Sequence, residues 1–173
     1  MSPRCKRKGI VGVESARLLR LLRWGHLLTT LLERTRGCVN FELRRTTREV
    51  SRYYDDALRS FGLRITQFNM LSILAQTGPL SVTDLAARLG MERSGLARNL
   101  KPIARQRLVT VSQGADRRTR LAELTTAGKR RLEEALPVWN RAQNQLVNKI
   151  GTDQAAKLSE LLAGIRAAIA EHE

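Results

Sequence analysis

Arginine and lysine side chains recur through residues 93–120 at spacings that suit contacts with a nucleic acid. Arg93 and Arg98 share one face of a predicted helix of period 3.6, and aliphatic residues occupy the other face. Guanidinium groups can bond to the edges of bases, and both kinds of cation attract phosphates. The alternative is a charged face that only solvates an amphipathic helix. The candidate DNA-binding residues of this helix are Arg93, Ser94, Ala97, Arg98 and Lys101.

A second basic group lies further along the chain, at the tip of a predicted hairpin. Arg117, Arg118 and Arg120 stand close to Asp116, so the carboxylate can hold one guanidinium in a fixed orientation while the others stay free. A rigid arginine of this kind suits a narrow minor groove. The alternative is a surface hairpin with a local ion pair worth under about 1 kcal/mol.

Two short helices and the hairpin are predicted to position these side chains. Ser81 is a favourable N-cap and Asp84 completes a capping box, so a helix begins at Ser81 and ends near Leu89. After the basic helix, the alternating segments 109–111 and 121–124 predict two strands. Together these elements form a winged helix-turn-helix, in which the second helix enters the major groove of duplex DNA. The candidate DNA-binding residues of the first helix are Ser81 and Thr83.

At these residues the chain resembles the MarR (multiple antibiotic resistance regulator) family. The resemblance covers roughly Cys38 to the C-terminus. It implies a homodimer that binds a pseudo-palindromic operator and responds to a small ligand or an oxidant. It also implies that Arg118 reaches the minor groove with Asp116 as its orienting partner, while Arg117 contacts phosphate. By analogy, such a regulator is a repressor. The segments that match in order and spacing are Ser81–Gly90, Arg93–Leu100, Asp116–Arg118 and Leu124–Gly128.

Two residues depart from the family pattern. Arg107 stands where the family usually has glycine before the wing, so a left-handed turn there is predicted to be strained or differently built. Glu92 occupies the place of a usual Asp, Ser or Thr cap, and Glu is a poorer N-cap.

The overall charge independently indicates an anionic partner. The 31 Lys and Arg residues outnumber 16 Asp and Glu residues, which gives a formal charge of +15 and a pI of about 11.3. Aromatic residues make up only 4% of the chain, too few for stacking on single-stranded bases to be the main mode of binding. Double-stranded DNA is therefore the expected partner.

No constellation of residues for catalysis or metal binding is evident in the sequence. His26 and His172 are the only histidines, and no Cys, His and Asp cluster has metal-ligand spacing. No glycine-rich phosphate loop is present either. We therefore expect no enzyme, no catalytic residue, no metal and no cofactor. The rival hypothesis is a non-sequence-specific, nucleoid-associated or partner-binding basic protein that uses the same charges.

The predicted fold is mainly α with a small β-wing. Residues 38–173 form the family-like domain, with the winged unit at about 64–125 and dimerisation helices at about 40–61 and 127–172. Residues 1–37 are a basic, amphipathic extension that is interpreted as an extra helix, a disordered arm or sequence upstream of the true start. No apolar run reaches transmembrane length. The two cysteines are too few for a disulfide framework and favour a reducing cytoplasm, at the bacterial nucleoid.

Two hypotheses address a signal for regulation. Cys38 lies near the start of the long helix predicted at about 40–61 and close to Arg44 and Arg45, so an organic peroxide could oxidise it. Tyr54 matches a cysteine-contacting tyrosine of the peroxide-sensing branch of the family. Alternatively, a small aromatic ligand could bind between the long helix and the winged unit. Buried cysteines and core aromatics without any sensing role are the more common situation. The candidate residues are Cys38, Tyr53, Tyr54, Phe61, Phe68 and Trp139.

Overall fold

The computed structural model describes residues 32, 33, 35, 37–114, 116 and 118–171. The chain divides into two compact units, residues 1–48 and residues 49–173, and the hydrophobic core lies in the second. Most of the predicted extension at 1–37 lies outside the described residues. The elements are α1 (Val39–Leu58), a 3₁₀ turn (Arg59–Phe61), α2 (Ile65–Thr77), β1 (Leu80–Ser81), α3 (Val82–Arg88), α4 (Arg93–Arg105), β2 (Val109–Gln113), β3 (Arg120–Leu124), α5 (Thr126–Ile150) and α6 (Thr152–Ala170).

The helical fold with a small wing is confirmed, and its core is built from the predicted apolar faces. Leu85 of α3 is fully buried, and it belongs to the same core cluster as the apolar side of α4. Between the two helices Gly90 adopts a left-handed conformation (φ 61°), which permits the sharp turn. The most deeply buried large side chains are Leu58, Met70, Leu71, Leu74, Leu85, Leu96, Ile103 and Val109.

Side chains hold the start of α2. The helix begins at Ile65, where side chains satisfy its first amides. The N–H of Ile65 donates to Asp55 Oδ1 (2.7 Å), and the N–H of Arg64 donates to Gln67 Oε1 (3.0 Å). The Asp55 contact spans ten residues, so no local pattern could reveal it.

The wing belongs to a three-stranded antiparallel sheet with the order β1-β3-β2. The predicted hairpin is present, with Val109 opposite Leu124 and Gln113 opposite Arg120. The third strand was not predicted: Ser81 pairs with Leu121, and the helix that was expected to begin at Ser81 begins at Val82. A strand of two residues is too short to show the alternation by which strands are recognised. Through this pairing, strand β3 of the wing is hydrogen-bonded to the residues directly before α3.

A tight junction connects the end of α4 with the start of α5. Arg107 adopts the predicted left-handed conformation (φ 58°) between them. The Thr125 hydroxyl donates to the carbonyl of Arg107 (2.7 Å) and accepts from the N–H of Gly128 (2.9 Å), which caps α5. The N–H of Thr125 donates to the carbonyl of Leu108 (3.1 Å). These bonds therefore hold the two ends of the wing at fixed positions between the end of α4 and the start of α5.

Candidate nucleic-acid interface

The basic face of α4 is open to solvent. Arg93, Ser94, Ala97, Arg98 and Lys101 are all exposed, whereas the opposite side of the helix is buried in the core. The structure thus gathers the five predicted residues of this helix on one surface. The N-cap residue, Glu92, makes no side-chain capping bond, as its residue type predicted. The first turn of α4 therefore leaves its backbone amides without a cap from that side chain.

At the start of α3, Ser81 and Thr83 differ in availability. The Ser81 oxygen accepts from the N–H of Asp84 (3.0 Å), and its hydroxyl donates to Asp84 Oδ2 (2.6 Å). Ser81 is half-buried and completes the capping interaction, while Thr83 is exposed. Of the two predicted hydroxyls, Thr83 has the freer side chain for a partner.

Asp116 organises the backbone at the tip of the wing. Its Oδ1 accepts a hydrogen bond from the backbone N–H of Arg118 (2.9 Å), and the structure shows no contact with that residue's guanidinium. The N–H of Thr119 donates to the Asp116 carbonyl, and the N–H of Gly114 to the Thr119 carbonyl (both 2.8 Å). Asp116 thus shapes the loop backbone and leaves the Arg118 side chain exposed. Arg117 lies outside the described residues.

A cleft of about 270 Å³ lies between the start of α3, the start of α4 and the wing. Arg93 borders it from the start of α4, and Arg118 and Arg120 border it from the wing. Within the described part of the chain, none of these three guanidinium groups forms an ion pair. Three unneutralised cations around one cleft attract an anion such as a phosphate. The residues that line the cleft are Ser81, Val82, Thr83, Arg93, Arg118, Thr119 and Arg120.

The candidate sensing residues participate in the packing of the fold. The Tyr53 hydroxyl donates to the carbonyl of Ala142 (3.0 Å), and the Tyr54 hydroxyl donates to Gln143 Oε1. Burial, and the neighbouring Tyr53, raise the pKa of the Tyr54 phenol. These contacts attach the second half of α1 to α5.

Two further candidate aromatics, Phe68 and Trp139, form a stack. Phe68 lies parallel to Trp139 with ring centroids 5.4 Å apart, and Phe68 is almost completely buried. Cys38 is exposed and forms no disulfide. Across the described residues, no group of three or more His, Cys, Asp or Glu side chains is arranged to hold a metal ion. No helix in this same part of the chain has the length and apolar character needed to cross a membrane.

A two-helix unit with an exposed basic second helix, followed by a wing, defines the winged helix-turn-helix regulators. The model of the MarR family matches residues 61–119. A crystal structure of the M. tuberculosis transcriptional regulator MosR in complex with DNA is 34% identical, with a TM-score of 0.67 over 76% of this chain and 98% of that chain. The chain belongs to the MarR family of transcriptional regulators.

Two further comparisons agree with this assignment. The uncharacterized HTH-type transcriptional regulator YwoH of Bacillus subtilis is 26% identical over 93 residues, which cover 54% of this chain and 68% of that protein. The apo form of wild-type MarR from E. coli shares the fold at 19% identity, with a TM-score of 0.59 over 73% of this chain and 96% of that chain. These relatives are regulators and not enzymes.

Proposed function

We propose that this protein is a sequence-specific transcriptional repressor that binds a pseudo-palindromic operator as a homodimer. The observation that carries the proposal is the shared surface of α4 and the wing, where Arg93 and Arg118 border one cleft and Arg98 lies on the same exposed helix face as Arg93. The M. tuberculosis regulator MosR, at 34% identity, was crystallised in complex with DNA, which supports duplex DNA as the partner.

The proposed DNA contacts are of two kinds. Contacts to base edges specify the sequence, and contacts to phosphates position the protein on the duplex. Arg93, Ser94, Ala97 and Arg98 lie near the start of α4, the part of such a helix that reaches base edges in the major groove. Arg118 at the wing tip suits the minor groove. We assign phosphate contacts, which fix register without reading sequence, to the remaining candidates. Those candidates are Ser81, Thr83, Lys101, Arg117 and Arg120.

The exposed apolar surface of α6 supports a homodimer. No residue of this helix is buried. Leu161 and Ile169 are each more than 60% exposed, and Leu158 on the same helix is exposed as well. Contiguous apolar surface of this kind marks an interface. A two-fold dimer would place two α4 helices on successive turns of the major groove, which matches a pseudo-palindromic operator.

We propose in addition that a small aromatic ligand or an organic peroxide modulates binding, and that the protein acts at the nucleoid in the bacterial cytoplasm. The exposed thiol of Cys38 supports the oxidant. The Tyr53 and Tyr54 contacts, which connect α1 with α5, support a signal that acts through these helices. If peroxide abolishes binding in the wild type but not in Cys38→Ser, and reductant restores it, the oxidant is the effector. Binding that peroxide leaves unchanged favours the small ligand.

The test of DNA recognition begins with selection from a random-sequence duplex library by the wild-type protein. Affinities for the selected duplex and for a shuffled duplex are then compared at one near-physiological salt concentration, because phosphate contacts alone change affinity strongly with salt. Arg98→Ala should cost about 1–3 kcal/mol on the selected duplex and relax specificity at one position. Arg141→Ala, which removes an exposed arginine from the middle of α5, is the matched control. An equal loss of affinity for both duplexes would favour the non-specific basic binder.

A further inference from the structure

A series of polar contacts connects α1, through the start of α2, to the basic helix α4. Asp55 Oδ1 accepts from the N–H of Ile65 at the first turn of α2 (2.7 Å). In the same turn, the Thr66 hydroxyl donates to Asn99 Oδ1 (3.2 Å). Asn99 Nδ2 in turn donates to the carbonyl of Gly95, one helical turn earlier in α4 (3.0 Å). The series ends beside the residues assigned to base reading.

The Asn99 amide can adopt only one orientation in this arrangement. Its nitrogen is the donor to Gly95, so its oxygen faces the Thr66 hydroxyl as an acceptor. Both side chains are half-buried, at the border between the core and solvent. A hydrogen bond in this position is directional and partly shielded from competing water.

Apolar packing and this hydrogen bond constrain different motions of α4. Leu96 and Ile103 are completely buried, which fixes how closely the helix approaches the core. Hydrophobic contact is not directional, so it resists rotation of a helix about its own axis less strongly than a polar contact does. A recognition group must be held within about 0.5 Å and 10–20° of its productive geometry. The Thr66–Asn99 bond, at one edge of the buried face, restricts that rotation.

We propose that Thr66 and Asn99 are positioning residues that hold α4 in the rotation required for base reading. This inference rests on the proposed function. Neither residue needs to contact DNA, and their effect acts through the side chains at the start of α4. Loss of the bond therefore reduces discrimination between sequences, while the phosphate contacts that give non-specific affinity are retained.

The experiment compares Thr66→Val, which removes the hydroxyl with little change in volume, with Thr77→Val. Thr77 lies at the other end of α2 and bonds only to the nearby carbonyls of Ile73 and Gly78, so it is a matched control. For each variant, affinity is measured on the duplex selected by the wild type and on its shuffled form, over a series of salt concentrations. Thermal unfolding is recorded in parallel.

We expect Thr66→Val to lower the preference for the selected duplex about fivefold, the effect of one ordinary hydrogen bond. Affinity for the shuffled duplex and the salt dependence should not change. Thr66→Ser, which keeps the hydroxyl, should restore the preference, and Thr77→Val should leave it intact. If Thr66→Val unfolds below the assay temperature, Thr66→Ala removes the same hydroxyl and should give the same fivefold loss.

Two outcomes would overturn the inference. One is a Thr66→Val protein with the wild-type preference, and the other is an equal loss on both duplexes, since that loss reflects a smaller folded fraction. Failure of the proposed function is distinguishable from both, because there the wild type itself would show no preference for any duplex.

Discussion

The glycine in the first turn of α5 has no room for a side chain, and Gly128→Ala tests the packing of this junction. A Cβ at position 128 would lie 2.8 Å from Leu124 Cδ1 and 2.9 Å from the carbonyl carbon of Leu108, and it would overlap the Leu108 oxygen. Non-bonded carbon atoms are most favourably separated by about 3.5–4.0 Å. The start of α5 must therefore move by roughly 1 Å, away from the end of α4.

The cost has three parts. Overpacking of this kind destabilises a protein by about 1–3 kcal/mol. Displacement of α5 also weakens the bond from the N–H of Thr125 to the Leu108 carbonyl (3.1 Å), and one such bond contributes about 1 kcal/mol. The better helix propensity of alanine offsets about 1 kcal/mol of this. The net loss is about 1–3 kcal/mol, which lowers the Tm of a protein of this size by roughly 2–12 °C.

Urea unfolding and thermal unfolding, followed by circular dichroism, measure the loss. The control is Gly95→Ala, because Gly95 occupies the same third position of its helix and a Cβ there would meet only Met91 Cε, at 3.6 Å. That variant should be as stable as the wild type or more stable by about 0.5–1 kcal/mol. Equal unfolding midpoints for the two alanine variants would refute the reasoning from steric overlap.

Two further predictions concern Arg107 and Tyr54. Since Arg107 has φ 58°, a conformation that costs a side-chain-bearing residue about 1 kcal/mol or more, Arg107→Gly should raise the free energy of unfolding by about 1 kcal/mol. Urea unfolding should show no such gain for Arg107→Ala, which keeps the backbone strain. The raised pKa of Tyr54 means that the folded protein holds the phenolic proton to higher pH than the unfolded chain, so stability from this group is complete below pH 10.0 and is lost as pH rises through the folded pKa. Tyr54→Phe should therefore lose less stability than the wild type as the pH is raised above 10.0, and parallel unfolding profiles would contradict this.

The parts of the fold that the sequence predicted are those determined by local patterns. Ser81 and Asp84 predicted the start of α3 to within one residue, because capping involves neighbours in the chain. The helical period predicted which side of α4 is buried, and the alternation of residues predicted the two long strands. The unusual backbone at Arg107 was predicted from the departure from the family pattern.

The parts that could not be predicted depend on residues far apart in the chain. Thr66 and Asn99 are 33 positions apart, and neither residue type by itself indicates a partner. The close approach of Gly128 to Leu108 depends on how the segment between α4 and β2 meets the start of α5. The hydrogen bond from the Arg118 N–H to Asp116 Oδ1 depends on the conformation of the loop, which the residue types alone do not give. Tertiary geometry decides each of these cases.

Two junctions near α4 should fail in different ways. At Thr66 and Asn99 one half-buried side-chain bond sets orientation, so its loss changes what the helix reads while the core remains intact. At Leu108 and Gly128 backbone lies directly against backbone, so any added atom separates the winged unit from the long helix α5. At a temperature near its Tm, Gly128→Ala should consequently reduce binding to selected and shuffled duplexes alike, in proportion to the folded fraction. Measured beside Thr66→Val at the same temperature, it separates the energetics of folding from those of recognition.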